Sequence, residues 1–173
     1  RDRDTLDEHA EPTRLSITQV IDARDAGTQI VDTRESQLFA TGHLRGSINV
    51  GLSGRYAEYA GSVISPKDDI VIITEPGLAT EAKIRLARIG YDRVIGWFPV
   101  DDLADVPSEV DRASRLTAQE FSARRSEVPH LQLVDVRGEG EFMINHVSHA
   151  INIPVAQLEK RMPELRTDVP TVV

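Results

Sequence analysis

The chain of 173 residues contains no cysteine, which excludes disulfides and thiolate metal ligation within it. It lacks any apolar run near 18 residues long, so no membrane-spanning helix is expected and no membrane partner follows. Basic residues are outnumbered, 20 against 28 acidic ones for a net charge of -8, and phosphate binding draws on a basic surface that is not evident; nucleic acid is excluded as a partner. Aromatics are scarce at 5%, so Tyr56, Tyr59 and Trp97 read as packing or interface residues rather than as a ligand cage. His146 and His149 stand three apart with no third ligand nearby, and no metal site is expected in this chain.

No signal-peptide pattern precedes residue 15, which together with the acidic balance points to the cytoplasm. The chain also lacks an initiator methionine. Residues 1–13 are charged and poor in apolar side chains, and are expected to be a linker belonging to a longer protein.

What is present is a repeat. Val31-Asp32-Thr33-Arg34, Phe39, Gly42-His43-Leu44 and Ser47-Ile48-Asn49-Val50 return 103 residues later as Val134-Asp135-Val136-Arg137, Phe142, Asn145-His146-Val147 and Ala150-Ile151-Asn152-Ile153. The preceding Arg14-Leu15-Ser16-Ile17 returns as Arg115-Leu116-Thr117-Ala118 at an offset of 101, so two residues were gained in a loop, where length is tolerated. Self-similarity at this spacing predicts two tandem domains, 14–110 and 111–173.

Each copy reads as the same series. Ser16 and Thr117 are N-caps of short helices over 17–26 and 118–125, and apolar runs over 29–31 and 131–134 follow as buried strands ending at Asp-x-Arg. A second short strand covers 47–50 and 150–153. Copy one then continues through a turn at 65–69 into the strand 70–74, the loop Glu75-Pro76-Gly77, a helix over 79–89 stopped by Gly90, and a strand over 94–97. Strands alternating with helices predict an α/β fold with a mostly parallel central sheet flanked by helices.

The sequence strand, Asp-x-Arg, Phe, Gly-His-hydrophobe-x-Gly-small-Ile-Asn resembles the rhodanese homology domain, closely in copy one and with departures at Asn145 and His149 in copy two. The resemblance implies two tandem rhodanese-like domains, the second incomplete. In that family a catalytic cysteine follows the central strand and opens a Cys-x-x-Gly-x-Arg loop, whose amides and helix N-terminus stabilise an anionic persulfide. Here the corresponding loop reads Glu75-Pro76-Gly77-Leu78-Ala79-Thr80, a degenerate active site with no nucleophile, and the chain has no catalytic residue. Copy two reaches Thr171-Val172-Val173, the start of its own central strand, before the loop.

For Asp32, Arg34, His43, Asp135, Arg137 and His146 an architectural role outweighs a catalytic one, because a carboxylate and guanidinium at a strand end ordinarily fix neighbouring loops. The segments 51–61, 75–77 and 84–96 further resemble bacterial fusions in which a metallo-β-lactamase-fold domain precedes two rhodanese domains. That resemblance implies an upstream partner domain carrying iron or zinc, with persulfide dioxygenase or hydrolase activity, and a small sulfur anion or persulfide as ligand. Copy two is expected to leave Leu133, Ile151, Ile153 and Val172 under-covered, favouring homo-oligomers.

Overall fold

The computed structural model describes residues 10–173. Most of the expected linker, residues 1–9, lies outside the described residues. The chain divides into two compact units between Arg115 and Leu116.

Unit one begins with α1 (Ile17–Asp25), whose Ser16 cap accepts the Gln19 N–H at 3.3 Å while its own N–H donates to Gln19 Oε1 at 2.9 Å. There follow β1 (Gln29–Asp32), α2 (Ser36–Thr41), β2 (His43–Leu44), β3 (Ile48–Asn49), α3 (Tyr56–Val63), β4 (Ile70–Thr74), α4 (Ala79–Ala87) and β5 (Val94–Pro99). Two 3-10 turns, Val100–Asp105 and Pro107–Glu109, then lead to β6 (Val110–Asp111). The strands form a parallel sheet in the order β3-β1-β4-β5, and parallel neighbours need the crossover connections that the helices supply.

All five residues of β4 are buried, and alternate side chains serve different cores. Ile70 and Ile72 join Val31, Tyr56, Leu86 and Trp97 on one face; Val71 and Ile73 join Val20, Ile30, Leu44 and Phe98 on the other. Each fully buried isoleucine contributes about 2 kcal/mol, which is why the central strand was the plainest in the sequence.

Two accessory pieces complete the unit. Thr13 and Leu15 run beside β5: the Trp97 N–H donates to the Thr13 carbonyl at 2.9 Å and the Leu15 N–H to the Trp97 carbonyl at 2.8 Å. At the opposite side β6 pairs antiparallel with β2, placing Val110 against Leu44 and Asp111 against His43.

Tyr56 is fully buried, and its hydroxyl has no hydrogen-bond partner among the described residues. Burial raises the phenol pKa above its ordinary value, outweighing the opposing pull of the Arg85 guanidinium. A phenol that ionises at about pH 10 when unfolded but resists ionisation when folded gives stability that is complete below that pH and declines above it. Tyr56→Phe is expected to abolish this alkaline decline and, by removing an unpaired buried hydroxyl, to raise stability by about 1 kcal/mol. Urea titrations at neutral and alkaline pH, followed by the fluorescence of Trp97, measure both effects.

Unit two repeats the opening half. Its elements are α5 (Ala118–Arg125), β7 (Gln132–Asp135), α6 (Glu139–Ile144), β8 (Ile151–Asn152), α7 (Leu158–Arg161) and β9 (Thr171–Val172), with parallel strands in the order β8-β7-β9. Thr117 and Glu120 reproduce the capping box of α1. The expectation of poor cover holds for Ile151, which is 38% exposed, but not for Ile153, which is fully buried and whose N–H donates to the Asp135 carbonyl at 3.0 Å. His149 takes φ 67 where Gly46 takes φ 80, so copy two keeps the left-handed turn with a side chain that disfavours it.

Candidate functional site

The Asp-x-Arg motif is the best-defined constellation in the structure, and it occurs twice with the same geometry. In copy one Asp32 ends β1 fully buried, and Arg34 grips it with Nε at 3.0 Å from Oδ1 and a terminal nitrogen at 2.6 Å from Oδ2. The Arg34 N–H also donates to Oδ1 at 3.0 Å, and the same guanidinium reaches the Gly42 carbonyl at 2.8 Å. In copy two Arg137 makes the corresponding contacts to Asp135 at 3.0 and 2.6 Å and to the Asn145 carbonyl at 2.8 Å. Hydrogen bonding to Arg137 holds the Asp135 carboxyl below its usual range.

Asparagine completes each motif. Asn49 Nδ2 donates to the Asp32 and Arg34 carbonyls at 3.1 and 2.8 Å, and Asn152 donates to those of Asp135 and Arg137 at 2.9 Å each. The histidines brace the helix ahead of them: His43 Nδ1–H donates to the Phe39 carbonyl at 3.0 Å with the two rings stacked at 3.8 Å, and His146 does the same to Phe142 at 2.8 Å and 4.0 Å. Every polar atom of these groups that the structure pairs is used within the chain's own loops.

The loop after β4 is where the sheet's carboxyl ends and a helix N-terminus meet. Beneath it the buried Thr33 and Thr74 hydroxyls pair at 2.7 Å, tying the ends of β1 and β4 together. Glu75, Pro76 and Gly77 are exposed; Gly77 takes φ 88, and the Leu78 N–H donates to the Glu75 carbonyl at 3.2 Å, closing a tight turn into α4. Ala79 is buried and Thr80 half-buried at the start of that helix.

The chemistry open to this loop is narrow. It presents a carboxylate at position 75, Pro76 has no N–H to donate, and Glu81 adds a second negative charge in the first turn of α4. Arg85, the neighbouring cation, is held by structure: it donates to the carbonyls of Leu52 and Gly54, stacks over Tyr56 at 5.3 Å and lies 3.5 Å from Glu81. The sequence signalled neither this anchoring of Arg85 nor the Thr33–Thr74 pair, since both depend on residues 31 to 41 positions apart meeting in space.

Two cavities lie away from the loop. One of about 510 Å³ in unit one is lined by Leu15, Ser16, Phe98 and Asp105, with the Arg14–Asp102 ion pair of 2.8 Å at its wall. The other, about 380 Å³ in unit two, runs along Leu133, Asp135 and Arg137 to Val147 and Val173. Among the described residues no cluster of three or more His, Asp or Glu has the arrangement of a metal site, and no helix is long and apolar enough to cross a membrane.

Comparisons with known proteins agree with this architecture. The chain is 46% identical over 55 residues to the uncharacterized protein YqhL of Bacillus subtilis strain 168, and 47% identical over 45 residues to the HTH-type transcriptional regulator Rv0324 of Mycobacterium tuberculosis. These stretches span 32% and 26% of this chain, and only 41% and 20% of the relatives. Among solved structures, a variant of EanB in complex with hercynine superposes with a TM-score of 0.55 at 16% identity, covering 91% of this chain and 43% of EanB. Wild-type EanB gives 0.51 at 17% identity over the same shares. A family model for the rhodanese-like domain matches residues 16–96 and 117–173, and the chain therefore belongs to the rhodanese-like domain family.

Proposed function

We propose that this chain is a non-catalytic tandem rhodanese-like region of a larger cytoplasmic protein of sulfur metabolism, serving in packing, docking or the binding of a small sulfur anion. The observation that supports it is the loop after β4: where the family places its thiol there is an exposed Glu75, followed by a proline without an amide donor. No group there can take up a sulfane sulfur, since the acceptor must be a nucleophilic thiolate that becomes the persulfide. In this reading the parent protein has a metallo-β-lactamase-fold domain upstream, which holds iron or zinc and carries persulfide dioxygenase or hydrolase chemistry. Part of EanB, of which one structure shows a persulfide cysteine linked to ergothioneine, is similar to this chain in fold alone.

The test is sulfur transfer from thiosulfate to cyanide. The chain is expected to give no thiocyanate above the uncatalysed rate, and turnover would overturn the reading.

In a second reading the parent is a sulfurtransferase whose cysteine lies just beyond Val173, and strand register says which position to inspect. Thr171 pairs with Gln132 as Ile70 pairs with Gln29, so the counterpart of Glu75 is the third residue after Val173. Cysteine at that position, and activity in the longer protein that disappears on its replacement by serine, would select this reading for the parent. Another residue there would remove it.

A further inference from the structure

The cavity of unit one lies at the carboxyl end of β5, the end of an open α/β sheet at which ligands are ordinarily held. Its volume of about 510 Å³ falls within the range of small-ligand sites, about 300–1,000 Å³. The floor is apolar: Phe98 is 2% exposed, and Leu15 and Ile17 pack beside it against the second core. Both walls are fixed. The Leu15 N–H is bonded to the Trp97 carbonyl, the capping box of Ser16 and Gln19 starts α1, and the buried Leu103 anchors the 3-10 turn Val100–Asp105 that closes the other side.

The polar groups of the rim are few, and the fold leaves most of them open. Arg14 donates to Asp102 through one terminal nitrogen at 2.8 Å, which is the only polar contact of its side chain among the described residues. Its other donors and Asp102 Oδ1 are open, with the two side chains 63% and 43% exposed. The Asp105 carboxylate makes no hydrogen bond or ion pair among the described residues. Ser16 Oγ and Gln19 Oε1 serve the helix cap, which leaves Gln19 Nε2 as a neutral donor. No further charge enters the lining: the first turn of α1 has none, and Asp101, though exposed on the same 3-10 turn, is not part of the wall. The rim therefore holds one cation and two carboxylates around an apolar floor.

We propose that this cavity binds a free amino acid with an apolar side chain. The ligand's carboxylate accepts from Arg14, its ammonium donates to Asp105 and Asp102, and its side chain lies on Phe98, Leu15 and Ile17. Charge complementarity selects a zwitterion. A simple amine leaves the Arg14 donors unmet, and a simple carboxylate meets two like charges for one opposite charge. The inference does not depend on the sulfur chemistry of the parent protein.

The test is a titration of the whole ¹⁵N-labelled chain with L-leucine, with isoamylamine, which lacks the carboxylate, and with 4-methylpentanoate, which lacks the ammonium. Saturable amide shifts are expected in residues 15–19 and 101–105, with leucine bound most tightly, isoamylamine next because the rim is net negative, and 4-methylpentanoate least. Glycine, with the same charges and no side chain, is expected to bind about tenfold more weakly than leucine. Asp105→Asn should weaken leucine and isoamylamine about fivefold without weakening 4-methylpentanoate. Arg14→Gln should weaken leucine and 4-methylpentanoate by about the same factor without weakening isoamylamine. Both positions are exposed, and an unchanged spectrum elsewhere shows that the variants fold. The proposal is overturned by the absence of saturable shifts at millimolar leucine, by glycine binding as tightly as leucine, or by binding indifferent to both variants. Isoamylamine bound as tightly as leucine would also overturn it and give the cavity to simple amines.

Discussion

Arg34→Ala is expected to cost unit one about 3–5 kcal/mol, the loss that follows when a buried carboxylate is left without its cation. Asp32 is fully buried, and Arg34 supplies most of the donors that satisfy it. Removing the guanidinium also frees the Gly42 carbonyl and unpins α2 from the end of β1. The repeat supplies an internal control, because Arg137 grips Asp135 at the same distances while its side chain is 45% exposed and that of Asp135 is 12% exposed. There solvent replaces the lost bonds, and Arg137→Ala should cost about 1 kcal/mol. Unit one is followed by Trp97 fluorescence in urea, and unit two by exchange of the Ile153 amide, which donates to the Asp135 carbonyl. Adding Asp32→Asn to Arg34→Ala should recover part of the loss, since a neutral amide is less costly to bury. Equal losses in the two copies would show that burial is not what separates them.

Gly96→Ala is expected to be nearly as damaging, at about 3 kcal/mol, for a steric reason. A Cβ at position 96 would lie 2.6 Å from Leu15 Cγ and 2.8 Å from the Thr13 carbonyl oxygen. The leucine could turn aside, but the carbonyl is backbone and already accepts from Trp97. Relief therefore requires residues 13–15 to leave β5, which gives up two backbone hydrogen bonds and the half-buried Leu15 contact with the second core. Hydrogen exchange should find the Leu15 and Trp97 amides deprotected before the rest of the sheet. A variant within 1 kcal/mol of the parent, with those amides still protected, would contradict this account.

How far the sequence disclosed these features depended on the distance over which each is determined. Strand β4 was plain because five consecutive branched residues are buried on both faces, and both capped helices were plain because Ser16 and Thr117 act within three residues. The parallel sheet followed from strands alternating with helices, and the rhodanese likeness from the repeated Asp-x-Arg and Ile-Asn segments; the strand order did not come from the sequence. Helix α3 was missed because its boundary residue, Arg55, makes no side-chain cap, and α2 because only Ala40 of its six residues is buried. Strand β5 runs two residues past the expected end at Trp97, since Phe98 is drawn into the second core and Pro99 pairs with Thr74. The strap at residues 108–113 left little trace in the sequence. A lone Val110 among polar neighbours becomes a strand only because Leu44 needs cover.

At the site itself the sequence disclosed what was missing better than what had replaced it. The lack of a thiol after Thr74 could be read directly, whereas the commitment of Arg85 to the Leu52 and Gly54 carbonyls could not. Histidines 43 and 146 illustrate the opposite case. Their recurrence in a repeat suggested architecture, and the stacked Phe39 and Phe142 rings place each within four residues of its partner carbonyl.

The attachment of residues 13–15 to β5 has a consequence for synthesis on the ribosome. The first described part of the chain is completed by nearly the last strand of its unit, and Leu44 is covered only once residues 110–113 have emerged. A nascent chain that has reached β4 holds a central strand with one neighbour missing and an uncovered leucine. Unit one should therefore acquire its native protection late and abruptly, after residue 113, and stalled chains shorter than this should be the ones that chaperones retain.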